Sequence, residues 1–142
     1  QLADISRGKE VLEQAFGEVF SPVFTPPWNR CTDVTHRALD QLGFQVLSKL
    51  NSEPPVTGHC FREISVTLDL FRWKGGAAMK APLEFVAELS SQLLALDTVG
   101  VMLHHKVMDD TAFELVRLVV SELRRSETIQ VHSFQSLLKT TK

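Results

Sequence analysis

Cysteine is scarce in this chain, with Cys31 and Cys60 the two examples in 142 residues. They form no CxxC pair and are too few for a disulfide framework, which points to a reducing, cytoplasmic setting while leaving one bridge between them open. Neither sign of charge dominates, the formal net charge being -2. Attraction to nucleic acid or to an anionic membrane surface is therefore not expected. No apolar run approaches the roughly 20 residues of a membrane helix, and Gln1-Leu2-Ala3-Asp4 lacks the basic and apolar regions of a signal peptide. Because the chain does not start with Met, that lack says little about its origin. There is no Gly-rich phosphate loop, no Gly-x-Ser-x-Gly elbow and no His-Glu-x-x-His, so the chemistries built on those motifs are not indicated. Repeats, low-complexity segments and interdomain linkers are also missing. What remains, 44% hydrophobic and 23% charged residues, is the composition of one globular domain long enough to bury a sizeable core.

Helical spacing of Leu2, Ile5, Leu12, Ala15 and Phe16 predicts a first helix, ended by Gly17 as a left-handed cap. Val19 to Phe24 reads as a short buried strand. Thr32 or Asp33 can cap a second helix carrying Val34, Ala38, Leu39 and Leu42, stopped by Gly43, and Phe44 to Leu47 reads as the next strand. Two strands joined through such a helix make a parallel βαβ unit, so the expected fold class is α/β with a mostly parallel sheet. Residues 51–58, with Pro54, Pro55 and Gly58, read as a loop. Ile64, Val66, Leu68 and Leu70 alternate with polar residues, predicting a strand that ends in Phe71-Arg72-Trp73 before Gly75 and Gly76 break the chain. Pro82 opens a helix to about Leu96, and Val99 to Leu103 is a strand that delivers His104 and His105. Thr111 with Glu114 resembles a capping box for a helix to about Arg125. Ile129 to Val131 reads as a last strand, and Ser133 as the cap of a final helix.

In a parallel sheet, the loops after the carboxyl ends of the strands share one face, where ligands bind. Three such ends carry polar groups: Trp28-Asn29-Arg30 after Pro26 and Pro27, then Asp69 with Arg72 and Trp73, then His104-His105. Their convergence predicts an aromatic-walled pocket with an imidazole that can exchange a proton near neutral pH. His104, His105, Asp109 and Asp110 also have the chemistry of metal ligands. Neighbouring residues of a strand point to opposite faces, and acidic residues before a helix are expected for capping, so this set is not assigned to a metal.

Phe24-Thr25-Pro26-Pro27-Trp28-Asn29, Asp69-x-x-Arg72-Trp73 and Val101-Met102-Leu103-His104 occur in the order in which the carboxyl-terminal half of the polysaccharide deacetylase family, carbohydrate esterase family four, carries its motifs. Gly8, Leu42-Gly43-Phe44 and Leu47-Ser48 fit the same pattern, so the chain resembles that half over nearly its whole length. The resemblance implies part of a distorted (β/α) barrel. It implies that His104 is the general acid protonating the leaving amine, and that Trp28 and Trp73, with Asn29 and Asp69, line the groove for an acetylated sugar. Two departures stand out. Thr25 replaces the Arg of the family's Arg-x-Pro-aromatic motif, and Arg72 replaces the second Asp of its Asp-x-x-Asp-Trp motif. Since those two side chains pair in the family to support the catalytic base, Arg72 or Arg30 is the candidate to supply the lost guanidinium.

The family's Asp-Asp motif and two-histidine metal motif lie upstream of the matched region. The chain is thus expected to carry no metal-dependent active site of its own, although a divalent metal such as Zn is implied for a complete member. Half a barrel would leave sheet edges open, which predicts a homo-oligomer or pairing with an amino-terminal half. The leading reading is a hydrolase acting on N-acetylated sugars or a related carbon–nitrogen bond, incomplete here. The second is a non-catalytic carbohydrate-binding or scaffolding relative, favoured by the changes at Thr25 and Arg72. The third is an unrelated α/β domain.

Overall fold

The computed structural model describes residues 1–50 and 56–140. They form a mixed α/β structure whose backbone gathers into two compact units, residues 1–65 with 132–142, and residues 66–131. Among the described residues there are sheets of three, two and two strands and no closed barrel. No helix among them is long and apolar enough to cross a membrane.

The first unit contains α1 (Leu2–Phe16), β1 (Val23–Phe24), α2 (Asp33–Gln41), β2 (Val46–Leu47) and β3 (Arg62–Glu63), in that order. Thr32 caps α2: its hydroxyl accepts from the Thr35 amide, and the Thr35 hydroxyl accepts from the Thr32 amide at 3.2 Å. That reciprocal arrangement satisfies two amides which the helix itself cannot. At the other end Gly43 has φ 68°, which lets the chain reverse so that the Phe44 amide reaches the Leu39 carbonyl at 3.0 Å. The strands lie in the order β1-β2-β3, all parallel, with Val23 beside Val46 and Leu47 beside Glu63. Leu39, Phe44, Leu47 and Phe61 form the core, joined by Ile5 of α1 and by Phe24. Burial of each such side chain is worth about 1.5–3 kcal/mol.

The second unit contains β4 (Leu68–Asp69), β5 (Phe71–Arg72), β6 (Ala78–Met79), α3 (Pro82–Ala95), β7 (Val101–Met102) and α4 (Asp110–Leu123). β4 pairs with β7 in parallel, and β5 pairs with β6 as an antiparallel hairpin around Gly75 and Gly76. Leu68, Leu70, Phe71, Phe85, Leu89 and Ala112 are its buried core. The remaining helix, α5 (Phe134–Thr140), follows Ser133, whose hydroxyl accepts from the Ser136 amide at 3.2 Å. It belongs with the first unit.

Several expected strands are shorter, or are something else. Gly17–Val19 is a 3₁₀ turn, so the strand expected from Val19 contracts to Val23–Phe24. Gly17 does not adopt a left-handed cap, its ψ being -128°. The single strand expected through residue 73 is two. The Asp69 carboxylate accepts from the Phe71 amide at 2.8 Å, the turn that Asp makes with the backbone two residues on, and the chain changes partner there. β3 and β6 were not expected, and Ile129 to Val131 is not a strand. The cap of α4 is Asp109 rather than Thr111, its carboxylate accepting from the Ala112 amide at 2.9 Å. A carboxylate at a helix start also meets the positive end of the dipole, which accounts for its precedence over the hydroxyl. Pro54 and Pro55 of the expected loop lie outside the described residues.

Candidate functional site

Parallel pairing of β4 with β7 sets Asp69 beside Met102, so His104, two residues further on, emerges at the same carboxyl end as Asp69. The His104 Nε2 and Asp69 Oδ2 atoms are 3.1 Å apart. Trp73 Nε1 donates to the same oxygen, also at 3.1 Å. The other carboxylate oxygen accepts from the Phe71 amide. Oδ2 acts as an acceptor towards the indole, which has only a hydrogen to give, so the histidine contact is best satisfied with the hydrogen on Nε2. Nδ1 is then the ring nitrogen left to exchange a proton with a bound group. The imidazole stands edge-on to the Trp73 ring at 4.6 Å and to Phe71 at 5.9 Å, so two aromatic side chains and one carboxylate fix its orientation. Trp73 is 49% exposed, leaving ring surface beside the imidazole for a ligand.

Of the residues expected at the site, Asp69, Trp73 and His104 are brought together. Arg72 is not part of that contact set, its guanidinium being paired with Glu84 of α3. Trp28, Asn29 and Arg30 belong to the first unit. There Pro26 and Pro27 lead into a 3₁₀ turn, in which Trp28 has φ 57° and Asn29 φ 56°. Two consecutive non-glycine residues in the left-handed region cost roughly 1–2 kcal/mol each. The Asn29 side chain helps to hold that geometry by accepting from the Leu50 amide at 2.9 Å. Trp28 projects from this stiff turn 85% exposed, and Arg30 is exposed beside it.

The first unit has polar clusters that the sequence reading missed. The Lys49 ammonium and Glu63 carboxylate form an ion pair at 3.3 Å, with side chains only 7% and 6% exposed, and Glu63 also accepts from the Val56 amide. Cys31 lies close enough to feel both charges, and burial pushes its thiol up rather than down, opposite to what a thiolate nucleophile needs. His36 and Asp40 of α2 meet His59 and Phe61 from the segment before β3. The available signal was the i, i+4 spacing of His36 and Asp40, which puts both on one helix face.

Among the described residues no group of three or more His, Cys, Asp or Glu side chains could hold a metal ion. At His104 the donors are one imidazole and one carboxylate already bonded to one another, a set too small for the coordination a divalent ion requires. Comparison with protein-family models, with curated proteins and with solved structures gives no match.

Proposed function

We propose that this chain is the carboxyl-terminal portion of a polysaccharide-deacetylase-like hydrolase, contributing the proton-donating side of a site for N-acetylated sugars or a related carbon–nitrogen bond. One observation carries the reading: a single oxygen of Asp69 bonds both the His104 imidazole and the Trp73 indole, joining an oriented proton carrier to an exposed aromatic ring. In this role Asp69 holds the imidazole, and His104 protonates the departing amine. Trp73 takes the apolar face of the pyranose ring, a use suited to a rigid aromatic surface beside polar groups. A divalent metal such as Zn would polarise the amide carbonyl and its water. Its ligands would lie outside this sequence, which has no His-x-x-x-His. The distorted barrel belongs to the same proposal, with this chain supplying part of it and a second copy or an amino-terminal half the rest.

The test has two arms. Titration of the chain with N-acetylglucosamine oligomers should shift the NMR signals of the Trp73 indole and the His104 ring, and Trp73→Ala should abolish binding. No shift with any oligomer would overturn the reading. The 142-residue chain should release no amine from those oligomers. Extended through its native upstream coding sequence and supplied with Zn, it should release amine, and His104→Ala should lower that rate by about 10²–10⁴-fold. The pairing of Arg72 with Glu84 favours a second reading, a non-catalytic carbohydrate-binding relative, because the guanidinium lost at Thr25 is then not replaced from Arg72. Binding without turnover in the extended protein would select it.

A further inference from the structure

The second cluster of titratable side chains sits on α2 of the first unit, where Asp40 and His36 face the segment 58–61 that leads into β3. Asp40 grips that segment twice: Oδ2 lies 2.6 Å from His59 Nδ1, and Oδ1 accepts from the Cys60 amide at 2.8 Å. The His59 ring stacks on Phe61, with centroids 5.0 Å apart and planes within 8°. Phe61 in turn is a buried member of the core. His36 closes the stack from the helix side, its ring 5.2 Å from His59 and 5.9 Å from Phe61. Its Nε2 is buried with no hydrogen-bond partner. Side chain, backbone and aromatic face of one short segment are thus all held by a single helix turn.

We infer that His36, His59 and Asp40 form an acid-released clasp, which holds residues 58–61 on α2 near neutral pH and lets them go when His36 gains a proton. A neutral imidazole tolerates the aromatic stack, whereas a charged one would set a buried Nε2–H with no acceptor against a second histidine. Burial and the neighbouring His59 push the pKa of His36 down from its ordinary value. The other charges facing it divide in sign, Lys49 opposing protonation while Asp33 and Glu63 favour it. Asp40 bonds His59 and Cys60 and makes no hydrogen bond to the His36 ring, so its attraction for a charged His36 acts only through space and leaves the buried Nε2 without an acceptor. The released segment leads directly into β3, the strand at the edge of the parallel sheet, so acid would loosen that edge while the helices stay formed.

The sign follows from proton linkage. With the folded pKa of His36 below the unfolded value near 6.5, the neutral ring's contribution is fully present above 6.5 and is lost as pH falls below it towards the folded pKa. Asp40, lowered chiefly by its bond to His59, keeps its own contribution until pH falls below 3.8. The His36 window therefore opens first.

Hydrogen exchange at the Cys60 amide reads the clasp directly. Corrected for the intrinsic rate, protection should fall between pH 7.4 and 5.5, by no more than the roughly tenfold that one proton binding near 6.5 in the released state can supply. In His36→Phe, which keeps a ring but cannot charge, protection should stay level across the same range. Asp40→Asn should weaken protection at both pH values, and equal protection at pH 7.4 in that variant would overturn the clasp. So would unchanged protection in the unmodified chain, or an equal fall in His36→Phe.

Discussion

In the first unit His59 meets Asp40 at 2.6 Å, and in the second His104 meets Asp69 at 3.1 Å. Exposure does not separate the two pairs: the side chains are 20% and 26% exposed in the first, 28% and 25% in the second. Their neighbours do. Asp40 spends both oxygens on one segment of its own unit, and the imidazole it holds lies flat against a core phenylalanine. Asp69 stands at the carboxyl end of a parallel strand, and the rings it organises, imidazole and indole, meet edge-on beside an exposed aromatic surface. The same chemical pair is a structural fastening where a helix presents it and a candidate site where strand ends do. Where the partner groups come from therefore tells more about a His–carboxylate contact than its distance or its exposure.

The sharpest way to break that contrast is to remove the support of one pair. Phe85→Ala empties the centre of the second unit, whose Phe85 is 2% exposed. It should cost about 3–5 kcal/mol in urea unfolding and disperse the NMR signals of the Trp73 indole. Next come the carboxylates. Asp40→Ala should cost about 1 kcal/mol, since it removes the bonds to His59 and to the exposed Cys60 amide, yet leave oligosaccharide titrations unchanged. Asp69→Ala should abolish those titrations, and an Asp69→Ala chain that still shifts with N-acetylglucosamine oligomers would erase the distinction between the pairs. Trp73→Phe keeps a ring and loses one bond to Asp69, so about 1 kcal/mol should go, with binding reduced rather than abolished. Smallest is the α4 cap, where Asp109→Ala should cost about 1 kcal/mol and Thr111→Ala less than about 0.5 kcal/mol, read from the same urea curves.

The helices were legible because their signals are local. Thr32 or Asp33 as a cap, Pro82 at a first turn and Gly43 at a reversal each act within a few residues, and the structure selects Thr32. The strands were less so, because each is two residues long and owes its existence to a partner distant in sequence. Nothing in Arg62-Glu63 announces a strand until β2 lies beside it. Asp69 and His104 could be grouped because one ends β4 and the other follows β7, which pair in parallel, whereas Trp73 reaches them from the antiparallel hairpin that opens just after Asp69. The His36–Asp40–His59 clasp could not, since the return of residue 59 to α2 depends on the path between β2 and β3. Alternation through Ile64 to Leu70 misled for a reason inside the sequence: Asp69 bonds the backbone and turns the chain in mid-pattern.

The paired left-handed residues Trp28 and Asn29 bear on how this chain could be engineered. A search for stabilising substitutions would place glycine at residue 28, where a φ of 57° costs glycine nothing. The gain, about 1 kcal/mol, would remove the most exposed aromatic ring of the first unit. Stability and surface chemistry are set against each other at that single backbone angle.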